Sequence, residues 1–141
     1  MQSTSPFYGN LISKEGEIHS SEIKAPIVLI YFSAHWCPPC RNFTPVLAEL
    51  YEEWNKDEKQ VEVIFVSSDS DEKTFKEYFD SMPWLAVPFG DSRIQQVKML
   101  FNVTGIPCLV LVNKEGVILE KNARNIVANY GVTAVDHLKK Y

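Results

Sequence analysis

The sequence predicts an α/β fold: a single domain in which a mixed β-sheet is flanked by helices on both faces. Three observations predict it. Apolar, β-branched runs at Ile27–Phe32 and Val61–Val66 read as buried strands. Each is followed by a segment whose apolar residues recur at spacings of three and four, the helical period. A third apolar run, Cys108–Val112, meets Val117–Leu119 across the turn signal Asn113–Gly116, which adds an antiparallel hairpin. The predicted order is β, α, β, α, α, β, β, α, with a further β-element in front.

Bulk properties set the class. At 141 residues the chain fits one domain and is long enough to bury a core. Residues 1–24 are expected to form a lead-in with a β-hairpin, and residues 25–141 the domain itself. The net charge of −4 offers no footprint for nucleic acid or for an anionic membrane. No apolar run approaches membrane-spanning length. Three cysteines are too few for a disulfide scaffold, and an odd number is unusual in a secreted chain. The opening Met1–Tyr8 lacks the basic flank and apolar stretch of a signal peptide. A reducing cytoplasm, with the nucleus, is the expected compartment.

In chain order, residues 1–10 are polar and turn-prone and are expected to be loosely held. Leu11–Ile23, with Glu15-Gly16-Glu17 between short apolar positions, suggests a hairpin. Pro26 punctuates before the first core strand, 27–34. The next helix carries Phe43, Val46, Leu47, Leu50, Tyr51 and Trp54 on one stripe, and Pro45 inside it predicts a kink. After the second strand, Ser67–Ser70 supplies cap residues, with Glu72 at capping-box spacing from Asp69. Phe75, Tyr78 and Phe79 then make the apolar stripe of a second helix. Met82–Phe89 is too broken by Pro83 and Pro88 for a central strand. A third helix follows, with Ile94, Val97, Leu100 and Phe101 on one face. Arg124–Asn129 is ambiguous, and Val132, Val135 and Leu138 predict a closing helix over 131–139.

The chemistry concentrates in Trp36-Cys37-Pro38-Pro39-Cys40. The pair sits where a strand ends and a helix begins. There the unpaired N–H groups and the helix dipole favour a thiolate at Cys37. Cys40 lies one turn later, within reach of a mixed disulfide formed on Cys37. Pro38 and Pro39 fit a first helical turn, where a missing N–H costs nothing. A closed zinc site needs four ligands, and Cys108, His19, His35 and His137 form no second pair, so no metal is expected. A structural bridge over so short a loop would restrict the unfolded chain little. Redox chemistry is the remaining reading.

A strand ending in Trp-Cys-x-x-Cys, a helix containing proline and a later Gly105-Ile106-Pro107 before a hairpin together resemble the thioredoxin fold over residues 25–140. Within that superfamily Tyr31–Arg41, Phe65–Asp69 and Met82–Phe89 look like the tryparedoxin and nucleoredoxin branch. The resemblance implies roles. Cys37 would be the exposed nucleophile and Cys40 the buried resolving thiol, together forming the redox-active disulfide. Pro107 would be cis, facing that disulfide and presenting the backbone of Ile106 to an incoming peptide. Trp36, Pro38 and Pro39 would give partners a flat contact, and Arg41 would hold the thiolate or an acidic partner.

The resemblance also implies a protein-disulfide reductase without bound cofactor, NADPH entering only through an upstream reductase. Its partners would be protein disulfides, a peroxiredoxin among them. Its donor would be thioredoxin reductase, glutathione or trypanothione, and the chain would act as a monomer. Three departures stand out. Tyr31 takes the place of the buried acid of ordinary thioredoxins, so Cys40 must exchange its proton through water or another group. Cys108 follows Pro107 where relatives carry threonine. Ser68 stands where trypanosomal tryparedoxins have tryptophan, which weakens the inference of trypanothione. His35 is expected to be exposed beside the site. Two other readings remain: a redox-gated adaptor for a signalling partner, and a metal or iron–sulfur centre bridged between subunits.

Overall fold

The computed structural model describes all 141 residues. Strands β1 (Asn10–Ser13) and β2 (Gly16–His19) form the first hairpin, closed by a 3₁₀ turn at Ser20–Glu22. β3 (Ile27–Ser33) leads into helix α1 (Pro38–Trp54), and β4 (Val61–Ser67) into α2 (Glu72–Phe79). The short β5 (Leu85–Ala86) precedes α3 (Arg93–Leu100). The hairpin of β6 (Cys108–Val112) and β7 (Ile118–Glu120) is followed by α4 (Ala123–Tyr130), a 3₁₀ turn and α5 (Ala134–Leu138).

One seven-stranded sheet runs in the order β2-β1-β5-β4-β3-β6-β7. β4 is parallel to β3 and to β5, while β6 is antiparallel to β3, so the sheet is mixed as expected. Every residue of β3 and β4 is buried, because helices cover both faces. Alternate side chains of the central strands point to opposite faces. Leu29, Tyr31, Val63 and Phe65 pack against α1, α2, α4 and α5. Ile30, Phe32, Ile64 and Val66 pack against α3 and Phe7.

Several expectations need correction. Met82–Phe89 does contain a strand, and it is internal: β5 pairs with β4 on one side and β1 on the other. It escapes the proline argument because its two residues lie between Pro83 and Pro88, neither of which is asked for a ladder N–H. The cap of α2 is Asp71, whose carboxylate accepts the Thr74 N–H at 2.8 Å, and not Asp69. Leu100 is 65% exposed while Ile94, Val97 and Phe101 are buried, so the third stripe is narrower than its sequence suggested. Arg124–Asn129 is helical, within α4. α1 runs on through Pro45, whose ring lies on the exposed face.

The lead-in is not loose. Phe7 is fully buried against Phe101, with ring centroids 5.7 Å apart. Burial of such a side chain is worth about 1.5–3 kcal/mol, enough to hold a short segment down. Arg93 adds a clamp. Its guanidinium donates to the carbonyls of Phe7 (3.0 Å), Tyr8 (3.2 Å) and Asn10, while Asp91 holds it from behind at 2.9 Å.

Candidate active site

β3 ends at Ser33, and the chain turns through Ala34, His35 and Trp36 into α1. Cys37 is the N-cap: its backbone is extended, and its Sγ accepts the Cys40 N–H at 3.4 Å. Sulfur here occupies the place of a capping oxygen, so one of the orphan donors of the helix start is aimed at it. Pro38 and Pro39 fill the first helical turn and are exposed. Across the site the Cys37 thiol donates toward the Ile106 carbonyl at 3.9 Å, and the Ile106–Pro107 bond is cis. Ala34, Cys37, Cys40 and Ile106 pack as one small cluster. Cys37 and Cys40 are therefore brought against Ile106, from segments 69 positions apart.

Three details differ from the sequence-based expectation. Cys37 retains only 5% of its surface, so it is not an exposed thiol. The capping geometry folds its side chain inward, against the Cys40 N–H and Ile106. Trp36, beside it, is 59% exposed, its indole N–H donating to the Ser68 carbonyl at 3.3 Å. Arg41 makes no hydrogen bond to either sulfur. Its guanidinium donates to the His35 carbonyl at 3.1 Å and braces the loop instead. His35 is half-buried, stacked on the Tyr78 ring at 5.2 Å, because the turn folds it onto α2.

Cys40 is completely buried. Burial pushes its thiol up to about 11, the neighbouring Cys37 thiol adds to the shift and the Ser33 hydroxyl opposes it. Tyr31, in the position of the missing acid, bonds Thr44 Oγ1 at 2.6 Å, and burial raises its phenol. Burial likewise raises Cys108, with Arg124 and Lys121 pulling the other way. Arg124 donates to the Pro107 carbonyl at 2.9 Å and so steadies the loop that faces Cys37.

Sequence reasoning missed three supporting groups. Asp69 accepts the His35 N–H at 2.8 Å and the Ser67 hydroxyl at 2.8 Å. Ser33 and Thr44 both bond the Tyr78 hydroxyl at 2.6 Å. A polar residue in an apolar strand and a threonine four positions after Cys40 were the available signals.

A family model described as thioredoxin-like matches residues 26–118. The chain belongs to the thioredoxin-like family. Its relatives place it in the tryparedoxin and nucleoredoxin branch. Tryparedoxin of Trypanosoma brucei brucei is 44% identical over 120 residues, covering 84% of this chain and 83% of that protein. Probable nucleoredoxin 1 of Arabidopsis thaliana is 43% identical over 125 residues, 88% of this chain. Nucleoredoxin of Homo sapiens is 42% identical over 123 residues, 86% of this chain. The chain spans only 22% and 28% of the length of those two nucleoredoxins.

The solved structure of tryparedoxin from Trypanosoma brucei superposes with a TM-score of 0.82 at 41% identity, covering 90% of this chain and 89% of that one. A tryparedoxin II complexed with glutathionylspermidine gives 0.84 at 34% identity, covering 94% and 93%. The thioredoxin fold is thus confirmed, in a chain whose relatives are nucleoredoxins and tryparedoxins. No helix is long and apolar enough to cross a membrane.

Proposed function

We propose that the chain reduces protein disulfides through the Cys37–Cys40 dithiol. The observation that carries this reading is the placement of Cys37 Sγ at the start of α1, on the Cys40 N–H and against the Ile106 carbonyl. A thiolate there is stabilised by a fixed donor, and the Ile106 backbone lies beside it for an extended partner to meet.

The steps balance as follows. Cys37 thiolate attacks one sulfur of the partner disulfide; a Cys37–partner disulfide forms and the other partner sulfur leaves as thiolate. Cys40 then loses its proton and attacks Cys37 Sγ, releasing the second partner sulfur. The partner gains two electrons, and the dithiol becomes the Cys37–Cys40 disulfide. Trp36, Pro38 and Pro39, all exposed, supply the rim on which a partner rests.

The oxidised pair must be reduced by an outside thiol. A glutathionylspermidine complex of a related tryparedoxin supports a low-molecular-weight thiol as donor; thioredoxin reductase, fed by NADPH, is the other class. A peroxiredoxin disulfide in the cytoplasm or nucleus, met by a monomer, fits this reading. The test is an electron-donor panel, following insulin disulfide reduction with NADPH and thioredoxin reductase, with glutathione, or with trypanothione. Strong turnover with one donor is the expected result. No turnover with any donor, from a dithiol that titrates normally, would sink the reductase and leave a redox-gated adaptor.

A further inference from the structure

The resolving step requires Cys40 to give up a proton from a fully buried site. With Cys37 tied up in the mixed disulfide, the groups left to act on its thiol are the Ser33 hydroxyl and the Ala34 backbone, neither of them a base at neutral pH. Polar atoms nevertheless continue beyond Ser33. Ser33 Oγ lies 2.6 Å from Tyr78 Oη, Tyr78 Oη 2.6 Å from Thr44 Oγ1, and Thr44 Oγ1 2.6 Å from Tyr31 Oη. Tyr31 O–H ends the series on the Cys40 carbonyl at 3.5 Å. All four residues are buried.

The direction of the series follows from proton counting. A carbonyl only accepts, and each hydroxyl has one proton to give. With Tyr31 donating to the carbonyl, Thr44 must donate to Tyr31, Tyr78 to Thr44 and Ser33 to Tyr78. Ser33 Oγ, whose one hydrogen bond is the one to Tyr78, is then left with a free lone pair. At its far end the series meets solvent. Thr44 and Tyr78 border a cavity of about 250 Å³, open to the surface and completed by His35, Arg41, Pro45 and Ser81.

We propose that the hydroxyls of Ser33, Tyr78 and Thr44 form the path by which the Cys40 proton leaves in the resolving step. The inference rests on the reductase reading. The Cys40 proton passes to Ser33 Oγ as Ser33 hands its own to Tyr78, Tyr78 to Thr44, and Thr44, its O–H turned from Tyr31 to the cavity, to water there. One proton enters the series and one leaves. The Cys40 electron pair forms the bond to Cys37 Sγ, the Cys37–partner bond breaks, and the departing thiolate takes a proton from solvent. Afterwards every O–H points back toward Cys40, so that Ser33 donates to sulfur while it carries charge.

Burial raises the Tyr31 and Tyr78 phenols, which keeps the relay neutral. The titratable groups facing it are Cys37 and Cys40 at the α1 start, Tyr31 of β3 and Tyr78 of α2. At the cavity, His35 and Arg41 stand over it, with Asp69 behind His35. Ser33 is the hydroxyl whose interaction with the Cys40 thiol opposes the upward push of burial; Tyr78 and Thr44 act through it.

The test uses dithiobis(nitrobenzoate) as the disulfide, in stopped flow, with a Cys108→Ser background so that two thiols report. The first thionitrobenzoate marks attack by Cys37, and the second marks resolution by Cys40. Ser33→Ala and Tyr78→Phe are expected to leave the first phase unchanged. They should slow the second on the order of 10- to 100-fold near neutral pH, in keeping with the reach of positioned proton transfer. The deficit should narrow as pH rises, and Ser33→Thr should restore the rate. Second phases equal to the parent from pH 6 to 10 overturn the proposal. So do both phases slowed alike, which marks a structural role. A parent protein that releases only one thionitrobenzoate fails differently: there the reductase reading itself is wrong.

Discussion

The Asp69 carboxylate accepts the backbone N–H of His35 at 2.8 Å, tying the end of β4 to the turn that delivers Cys37. The same carboxylate takes the Ser67 hydroxyl, and Ser67 in turn accepts the Asp69 N–H at 2.9 Å. Asp69 is nearly buried, so its removal strands donors that water reaches poorly. Asp69→Ala should therefore cost about 1–3 kcal/mol, the usual penalty for an orphaned buried donor. A denaturant midpoint shifted down, with disulfide reduction slowed, is the expected pair of results. Asp69→Asn, which keeps an acceptor, should lose less of both.

The two cysteines have separable roles. Cys37→Ser should abolish insulin reduction. Cys40→Ser should keep the first attack and accumulate mixed disulfides with partner proteins, visible as reducible high-mass bands or by intact-mass spectrometry. Full activity in Cys37→Ser would remove the mechanism.

Trp36 is exposed and makes one hydrogen bond, to the Ser68 carbonyl. Trp36→Ala should leave the melting temperature nearly unchanged. It should slow reaction with a protein disulfide several-fold, and that with a small aromatic disulfide much less. Equal effects on both substrates would argue that the indole shapes the sulfur rather than the docking rim.

Cys40 is raised from an ordinary 9.0 to about 11 by burial first and by Cys37 second. Its ¹³Cβ resonance should titrate toward that upper value in the reduced protein. The sign for stability follows. The neutral thiol favours the fold, so this contribution is complete below pH 9 and is lost as pH rises toward about 11. Reduced protein should lose stability over that window more steeply than Cys40→Ala does, as read from urea midpoints.

Arg93 joins the first ten residues to α3 through three backbone carbonyls. Arg93→Ala should cost about 2 kcal/mol, since bonds from a charged donor are lost and Asp91 is left alone. Hydrogen exchange should rise at residues 5–12 before it rises in β3. Uniform protection across both would mean that Phe7 alone holds the segment.

Local patterns made the scaffold legible. Ile27–Phe32 and Val61–Val66 are apolar on both faces, the mark of a doubly covered strand, and Asn113–Gly116 announces its own turn. The dithiol was legible because a strand-to-helix junction needs only neighbouring residues. β5 was not, because Leu85–Ala86 becomes a strand through Ile64 and Phe65 beside it, not through its own composition. Asp69 read as a cap because its partner lies 34 residues away. The hydroxyl cluster draws one residue each from α1 and α2 and two from β3, and each alone looks like packing. Cys37 looked exposed because sequence shows neither how a cap folds its side chain nor which carbonyl covers it.

β5 touches β1 at a single register pair, Ile12 with Ala86, and β4 at two. That narrow splice is what stands between the buried, largely apolar β4 and any other chain in the surroundings. The hairpin and β7 terminate the sheet with strands of four and three residues, too short to template much pairing. Were the hairpin to peel away, the exposed flank would be a buried parallel strand with its ladder groups open, a seed for aggregation. Colloidal safety in this molecule therefore hangs on its shortest strand, and on the arginine and phenylalanine that keep the lead-in seated against α3.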